Sequence, residues 1–126
     1  MTTTPKHILI VEDEDAMAKV LCNKFEKSGF TTKRACNGKE AVDALSKEQF
    51  DAVLLDLVMP GKDGYSVLSE CQTTMNAETA VYILTNLAQE DVMQRVAGLG
   101  AKGCFIKART SLNQLVIAMK KELGVA

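Results

Sequence analysis

The sequence lacks long hydrophobic runs, and this absence excludes two classes of protein. Apolar runs such as residues 8–11 and 52–55 are four residues long, whereas a transmembrane helix needs about 20 predominantly apolar residues. The first residues also lack the apolar segment of a secretory signal peptide. We therefore predict no insertion into a membrane and no secretion signal.

An excess of charge of either sign is also absent. Lys and Arg together number 15, Asp and Glu number 16, and the net charge is -1. Proteins that bind nucleic acid or anionic membranes usually display a basic patch and a positive net charge. The balance of charge therefore predicts no direct binding of nucleic acid.

The cysteines are not arranged as pairs. Cys22, Cys36, Cys71 and Cys104 are widely spaced and form no C-x-x-C motif. Disulfide frameworks are typical of small secreted chains. We interpret these cysteines as reduced, mostly buried residues of a cytoplasmic protein.

What the sequence does contain is a regular alternation of short apolar strands with amphipathic helices. The 126 residues, with 47% hydrophobic and 25% charged residues, fit one globular domain over 1–126. The predicted strands are 8–11, 31–36, 52–55, 81–84 and 103–106. Apolar residues at helical spacing follow each strand, and we place Met75 on the stripe of the third helix. Such alternation predicts an α/β fold with a parallel sheet covered on both faces.

Polar residues stand directly after four of these strands. They are Glu12 and Asp13 after the first, Asp56 after the third, Thr85 after the fourth and Lys107 after the fifth. Because ligands of open α/β sheets bind beyond the carboxyl ends of the strands, these side chains are predicted to share one site.

Taken singly, each of these residues has an ordinary explanation, such as a helix N-terminus, a turn, a strand end or a surface lysine. Their shared position at strand ends favours a common site. Carboxylates a few ångströms apart cannot all stay ionised without a compensating positive charge. Mg²⁺ with oxygen ligands would supply it, with Asp13 and Asp56 as direct ligands and Glu12 acting through water.

Four segments resemble the receiver domain of two-component response regulators, typified by the bacterial chemotaxis regulator. They are residues 8–13, 54–64, 81–85 and 100–107, and the resemblance extends over about residues 6–123. It implies a flavodoxin-like, doubly wound fold. The parallel sheet would have five strands in the order 2-1-3-4-5, flanked by five helices.

The resemblance also implies roles for the residues at the strand ends. Asp56 would be the phosphoacceptor, forming an aspartyl-phosphate. Glu12, Asp13 and Asp56, with the backbone carbonyl of Val58, would bind Mg²⁺. Lys107 would pair with Asp56 and then with a phosphoryl oxygen.

Three further residues have implied roles. Thr85 would be the hydroxyl that moves toward the phosphoryl group, while Pro60 and Gly64 would shape the loop beside Asp56. Phosphorylation would change the face formed by about residues 86–104.

The implied function is a phosphorylation-controlled switch. A histidine kinase or a histidine phosphotransfer protein would donate the phosphoryl group, and a downstream protein would receive the signal. The chain would not be an enzyme beyond its own phosphotransfer and slow autodephosphorylation, and it would be a monomer or a phosphorylation-dependent dimer. If the chain is complete, its output must be a protein–protein contact.

The sequence departs from the family pattern after Lys107, where the family usually has a proline in a cis peptide. Ala108 stands there, and a cis bond before a non-proline residue costs about 2.5–4 kcal/mol, so we predict a trans bond. Cys104 occupies the place of a usual aromatic residue. Its neighbour Phe105 would face the opposite side of the sheet and could not substitute for it.

Three residues near the predicted site would affect the access of phosphodonors and the lifetime of the aspartyl-phosphate. Asn86 stands where the family usually has a small residue, so it would partly cover the site and hinder phosphodonors. Val58 and Leu87 are apolar where they would flank the path of an attacking water. We therefore expect a long-lived aspartyl-phosphate.

Three other functions share part of this sequence pattern. A phosphatase of the haloacid dehalogenase type needs an acid two residues after the nucleophile, where Val58 stands. A flavodoxin-like nucleotide binder needs a glycine-rich phosphate loop, where residues 12–15 are all acidic. A receiver-like scaffold that works without phosphorylation remains an open alternative.

Overall fold

The computed structural model describes residues 4–59, 61–87 and 89–125. Within these residues, five strands alternate with five α-helices, and a short 3₁₀ turn, Lys107–Arg109, follows the last strand. The elements in chain order are β1 (His7–Val11), α1 (Asp15–Lys27), β2 (Thr31–Ala35), α2 (Gly38–Lys47), β3 (Ala52–Leu55), α3 (Gly64–Cys71), β4 (Ala80–Thr85), α4 (Glu90–Gly98), β5 (Gly103–Ile106) and α5 (Leu112–Glu122).

The strands form one parallel sheet in the order β2-β1-β3-β4-β5, which confirms the predicted architecture. Val11 pairs with Leu55, and Leu55 pairs with Ile83. Glu12 and Asp56 therefore leave the sheet at the same level. The strand order reverses beside β1 and β3, where open α/β sheets place their ligand sites.

The central and outer strands differ in burial, as their sequences predict. Every residue of β3 is buried, and its run of four apolar residues suits a strand covered on both faces. The edge strand β2 is polar and has a single fully buried residue, Ala35. The other edge strand, β5, is half-buried throughout.

Two apolar cores cover the two faces of the sheet. One contains Leu45, Val67 and Val96 from α2, α3 and α4, with Cys104 packed against it. The other contains side chains of α1 and α5, with Phe105 packed against it. Cys104 and Phe105 thus lie on opposite faces, as expected for neighbouring strand residues.

Three helices begin at side-chain caps. The side chains of Asn37, Asp63 and Ser111 accept hydrogen bonds from backbone N–H groups in the first turns of α2, α3 and α5. These N–H groups have no partner inside the helix, so each cap stabilises the helix start by about 1 kcal/mol. In the described part of the chain, none of the helices is long and apolar enough to cross a membrane.

The prediction for the third helix was wrong at its end. Helix α3 ends at Cys71, and Met75 lies beyond it with 54% of its surface exposed. The cause is Asn76, which is fully buried. Its amide donates to the carbonyls of Leu45 and Glu48 at 2.7 and 2.8 Å, and the chain turns to bring it there.

The cysteines were also predicted only in part. All four are free, but Cys71 alone is buried, and the other three are half-buried. The expectation that most of them lie inside the core was therefore wrong.

Candidate functional site

A cavity of about 540 Å³ opens at the carboxyl ends of the strands. It is lined by Glu12, Asp13, Glu14, Asp56, Val58, Thr85, Asn86, Leu87 and Lys107. The five residues that were predicted to share a site because they follow strands all line this cavity. The parallel register brings them together from positions up to 95 residues apart.

Three carboxylates form an acidic cluster, defined as Glu12, Asp13 and Asp56. One carboxylate oxygen of each lies within 4.8 Å of the others. Glu12 and Asp56 are buried, whereas Asp13 is exposed. Several oxygen donors converging in this way form the kind of site that a hard divalent cation prefers.

Lys107 bridges two members of the acidic cluster. Its Nζ donates to Glu12 Oε1 at 2.6 Å and to Asp56 Oδ2 at 3.0 Å. Burial acts to lower the pKa of Lys107, but the hydrogen bonds to the two carboxylates outweigh it and raise this pKa. Burial also raises the pKa of Glu12 by more than its hydrogen bond with Lys107 lowers it. The lysine side chain thus places positive charge where the carboxylates converge.

Backbone N–H groups hold the second carboxylate oxygen of Glu12 and of Asp56. Glu14 N–H donates to Glu12 Oε2, and Val58 N–H donates to Asp56 Oδ1, both at 3.2 Å. The two oxygens of Asp56 therefore differ, because one is held by the loop backbone and the other by a movable ammonium group. The predicted role of the Val58 carbonyl stays a prediction.

Arg34, on the edge strand β2, was not predicted to belong to the site. It contacts the acidic loop, defined as residues 12–15, from the side of β2. Its Nε and Nη2 donate to the carbonyl of Glu12 at 3.1 and 3.0 Å. Nη2 also donates to the carbonyl of Asp13 at 3.3 Å, and Nη1 pairs with Asp15 at 2.7 Å. One guanidinium group thus fixes the backbone that presents two of the three clustered carboxylates.

Gly64 supports the backbone of Asp56 from the other side. A Cβ at this position would lie 2.5 Å from the Asp56 carbonyl and 2.6 Å from Leu57 Cα, closer than real Cβ atoms approach. Only glycine fits here without moving the backbone of Asp56. Pro60, predicted to shape the same loop, lies outside the described residues.

The last residue of β4 and the residues that follow β4 and β5 complete the cavity. Thr85 is buried, and its Oγ1 accepts a hydrogen bond from Leu87 N–H at 3.3 Å. Asn86 lines the opening, and its Oδ1 accepts from Ala108 N–H at 3.0 Å. The Lys107–Ala108 bond is trans, as predicted, since none of the described peptide bonds is cis.

Residues 8–120 match the family model described as the response regulator receiver domain. The chain is a response regulator receiver domain. The match covers the five strands, except for His7 at the start of β1, and all the residues that line the cavity. The resemblance read from the sequence is thereby confirmed at the level of the family.

Known proteins similar to this receiver domain agree with the family. Sporulation initiation phosphotransferase F of Bacillus subtilis is 35% identical over 92% of this chain and 92% of its own length. The probable transcriptional regulator ycf27 of Cyanidium caldarium is 37% identical over 80% of this chain, which spans only 40% of that longer protein. A CheY-like receiver from Methanospirillum hungatei shares the fold, with a TM-score of 0.89 at 21% identity over 96% and 95% of the two chains.

The acidic cluster of this receiver domain fits Mg²⁺ on the chemistry of its donors. All three groups of the cluster are carboxylates, and neither sulfur nor imidazole is among them. Lys107 already binds two of the three, which shows that the cluster attracts positive charge. Mg²⁺ is commonly held by one or two carboxylates together with waters and phosphate oxygens.

Proposed function

We propose that Asp56 is the phosphoacceptor of this receiver domain and that phosphorylation depends on Mg²⁺. A histidine kinase or a histidine phosphotransfer protein would supply the phosphoryl group, and a downstream protein would bind differently to the modified chain. One observation supports this proposal above all. A single cavity holds the Asp56 carboxylate together with three further carboxylates, an ammonium group and a hydroxyl.

The reaction is a phosphoryl transfer to a carboxylate. An oxygen of Asp56 forms a bond to phosphorus as the bond from phosphorus to the donor's imidazole nitrogen breaks, and that nitrogen keeps the bonding electron pair. Lys107 then exchanges its hydrogen bond with Asp56 Oδ2 for one with a phosphoryl oxygen. Val58 N–H keeps the other oxygen oriented.

Glu12, Asp13 and Asp56, with the Val58 carbonyl, would hold the Mg²⁺ ion. When bound, the ion supplies positive charge against the negative charge of the transferring phosphoryl group. The chain's own part is to keep these oxygens converging, which Arg34 does through the loop backbone.

Thr85 would report the modification. A phosphoryl group adds about -1.5 to -2 charges and three strong acceptor oxygens. The Thr85 hydroxyl would donate to one of them, and its hydrogen bond with Leu87 N–H would break. The loop after β4 would then move, and the surface of about residues 86–104 would change.

The aspartyl-phosphate is proposed to be long-lived. Val58 and Leu87 line the cavity, and Val58 is 60% exposed at its opening. Neither side chain can donate or accept a hydrogen bond to orient an attacking water. With radiolabelled protein we expect slow loss of label, and a half-life of seconds would contradict this expectation.

The proposed setting is a cytoplasmic phosphorelay in which the chain acts as a switch and not as an enzyme on other substrates. The similarity to Sporulation initiation phosphotransferase F extends over nearly the full length of both chains and supports a role in phosphotransfer. Whether the domain is a monomer or dimerises on phosphorylation follows from measuring its mass in solution before and after modification.

The decisive experiment uses acetyl phosphate and Mg²⁺ with intact-mass detection. We expect one added phosphoryl group in the wild type and none in Asp56→Asn. Asp43→Asn, which changes an exposed carboxylate on α2, should still gain the group. No gain in the wild type, together with no response to beryllofluoride, would instead favour a scaffold that works without phosphorylation.

A further inference from the structure

One hydrogen bond joins the connection after β4 to the connection after β5. Asn86 Oδ1 accepts from Ala108 N–H at 3.0 Å. Both residues are exposed, so neither is placed by burial in the core. Asn86 directly follows Thr85, and Ala108 directly follows Lys107. The bond therefore links the neighbours of the two side chains that flank Asp56.

The donor in this bond belongs to the first turn of the 3₁₀ segment Lys107–Arg109. N–H groups at the start of a helical turn have no partner within the turn and need one from outside. Ile106, which precedes the turn, makes no side-chain cap. Asn86 supplies the missing acceptor from another part of the chain.

The identity of residue 108 makes this possible. Proline has no N–H, whereas alanine in a trans peptide presents one. The Asn86 side chain ends in a carbonyl oxygen that can accept it. Asn86 thus binds the backbone after Lys107 and also lines the cavity that it was expected to cover in part.

The position of this backbone matters because Lys107 is the first residue of the turn. Its Nζ contacts Glu12 Oε1 at 2.6 Å and Asp56 Oδ2 at 3.0 Å. A lysine side chain has many rotamers, so a backbone that is not fixed would leave the ammonium group spread over several positions. A fixed backbone narrows these positions to those that reach the two carboxylates.

We propose that Asn86 is a positioning residue for Lys107 and that it couples the two connections. Its side chain accepts a hydrogen bond from Ala108 N–H and so keeps the Lys107 ammonium group in contact with Glu12 and Asp56. Through the same hydrogen bond, movement of the loop that follows Thr85 is transmitted to the turn Lys107–Arg109. The consequence for phosphorylation rests on the proposed function. The geometric part does not, because it concerns the protein before any phosphoryl transfer.

The test compares Asn86→Ala, which removes the acceptor, with Asn86→Asp, which keeps one. Asn113→Ala, at an exposed position on α5, is the matched control. Amide hydrogen exchange of Ala108 is measured first by NMR. We expect about fivefold faster exchange in Asn86→Ala, which corresponds to the loss of one ordinary hydrogen bond. Exchange should be unchanged in Asn113→Ala and close to the wild-type rate in Asn86→Asp.

The rate of phosphorylation by acetyl phosphate is the second readout. Whether this rate falls or rises in Asn86→Ala distinguishes two roles of Asn86. If the residue positions Lys107, the rate in Asn86→Ala falls by about fivefold, with thermal stability close to that of the wild type. If the residue only obstructs the cavity, the smaller side chain raises the rate. A raised or unchanged rate would overturn the proposal, as would unchanged exchange at Ala108.

Failure of the proposed function is distinguishable from failure of this inference. If the wild type gains no phosphoryl group, the readout becomes the Lys107 ammonium resonance, observed after ¹⁵N labelling. We then expect exchange broadening or loss of this resonance in Asn86→Ala but not in Asn113→Ala. A resonance that stays the same in all the variants would overturn the positioning role.

Discussion

The residues after β1 and β3 are fixed by many contacts, whereas those after β4 and β5 are held by few. Glu12 and Asp56 are buried, and an oxygen of each accepts a hydrogen bond from a backbone N–H group. Arg34 also donates hydrogen bonds to the backbone carbonyl of Glu12. Thr85 is also buried, but its side chain and that of Asn86 each make one hydrogen bond among the described residues, and Asn86 is exposed. We therefore expect the fixed half of the cavity, defined as Glu12, Asp13 and Asp56, to stay in place. The movable half, defined as Thr85, Asn86, Leu87 and Lys107, should change position more readily.

A similar contrast separates β5 from the other strands that lead to the cavity, since β4 is buried like β1 and β3. β1 and β3 are the central strands, and their apolar residues are covered on both faces. β5 is an edge strand and is only half-buried. Segments with little burial and few hydrogen bonds open at low free-energy cost. Changes in the two halves should therefore have effects of different size.

The largest expected effect on stability follows Gly64→Ala in the fixed half. The added Cβ would meet the Asp56 carbonyl at 2.5 Å, and backbone atoms cannot move away as a flexible side chain could. We expect the free energy of unfolding to fall by about 1–3 kcal/mol. Urea denaturation measures it.

Gly98→Ala is the matched control for that change. Gly98 ends α4, and nothing lies within 4 Å of its Cβ position. This variant should be as stable as the wild type or slightly more so, because alanine favours the helix. Equal losses in the two variants would show that the close approach at Gly64 is unimportant.

Arg34→Met should weaken Mg²⁺ binding without preventing folding. The change keeps much of the side-chain length but removes the donors to the carbonyls of Glu12 and Asp13. Loss of such an outer contact typically reduces metal affinity by about 10–100-fold. Titration with Mg²⁺ followed by amide chemical shifts would measure the dissociation constant.

Lys33→Met is the control on the same strand, since Lys33 is exposed and contacts only Glu48 among the ion pairs of the described residues. Its affinity for Mg²⁺ should match the wild type. Similar affinities for Arg34→Met and Lys33→Met would mean that the acidic loop keeps its shape without the guanidinium group.

Mg²⁺ itself should stabilise the domain through the fixed half. At ten times the dissociation constant, a ligand that binds only the folded state adds about 1.4 kcal/mol to the free energy of unfolding. We expect Asp13→Asn to lose most of this gain. Glu14→Gln, the neighbouring residue outside the acidic cluster, should keep it. Thermal unfolding with and without Mg²⁺ measures this gain in stability. If Mg²⁺ stabilises both variants equally, the ion binds outside the acidic cluster.

The smallest effect on stability is expected for Thr85→Ala in the movable half. The variant loses a hydrogen bond of 3.3 Å with Leu87 N–H, worth about 0.5–1.5 kcal/mol. The response to beryllofluoride should change more than the stability does. The changes in amide chemical shift that beryllofluoride causes over residues 86–104 should become smaller than in the wild type. The changes at residues beside Asp56 should remain.

Thr85→Ser keeps the hydroxyl and is the control for Thr85→Ala. Its amide shifts on beryllofluoride binding should resemble those of the wild type. If Thr85→Ala also responds as fully as the wild type, the hydroxyl is not what connects the site to the loop after β4.

The sequence was sufficient to predict the sheet and the residues at the carboxyl ends of its strands. Hydrophobic runs such as Ala52–Leu55 report burial directly, and a parallel register brings residues like Glu12 and Asp56 to one edge. Apolar spacing alone could not predict the end of α3. The turn there depends on Asn76, whose buried amide binds the carbonyls of Leu45 and Glu48 from distant elements.

Arg34 and the Asn86–Ala108 contact were missed for a related reason. In both, a side chain binds backbone atoms, which every residue type possesses, so no particular partner residue marks the contact. A signal was nevertheless present for Asn86. A polar residue after Thr85 and a residue with an N–H after Lys107 both departed from the family pattern, and the structure brings these two departures into contact.

The buried amide of Asn76 has a mechanical consequence for the strand that carries Asp56. Asn76 Oδ1 accepts from Phe50 N–H at 2.9 Å, just before β3 begins. This hydrogen bond anchors the end of β3 that is remote from the cavity. A shift of β3 along its own axis would therefore have to break this buried hydrogen bond as well as the backbone pairing with β1 and β4.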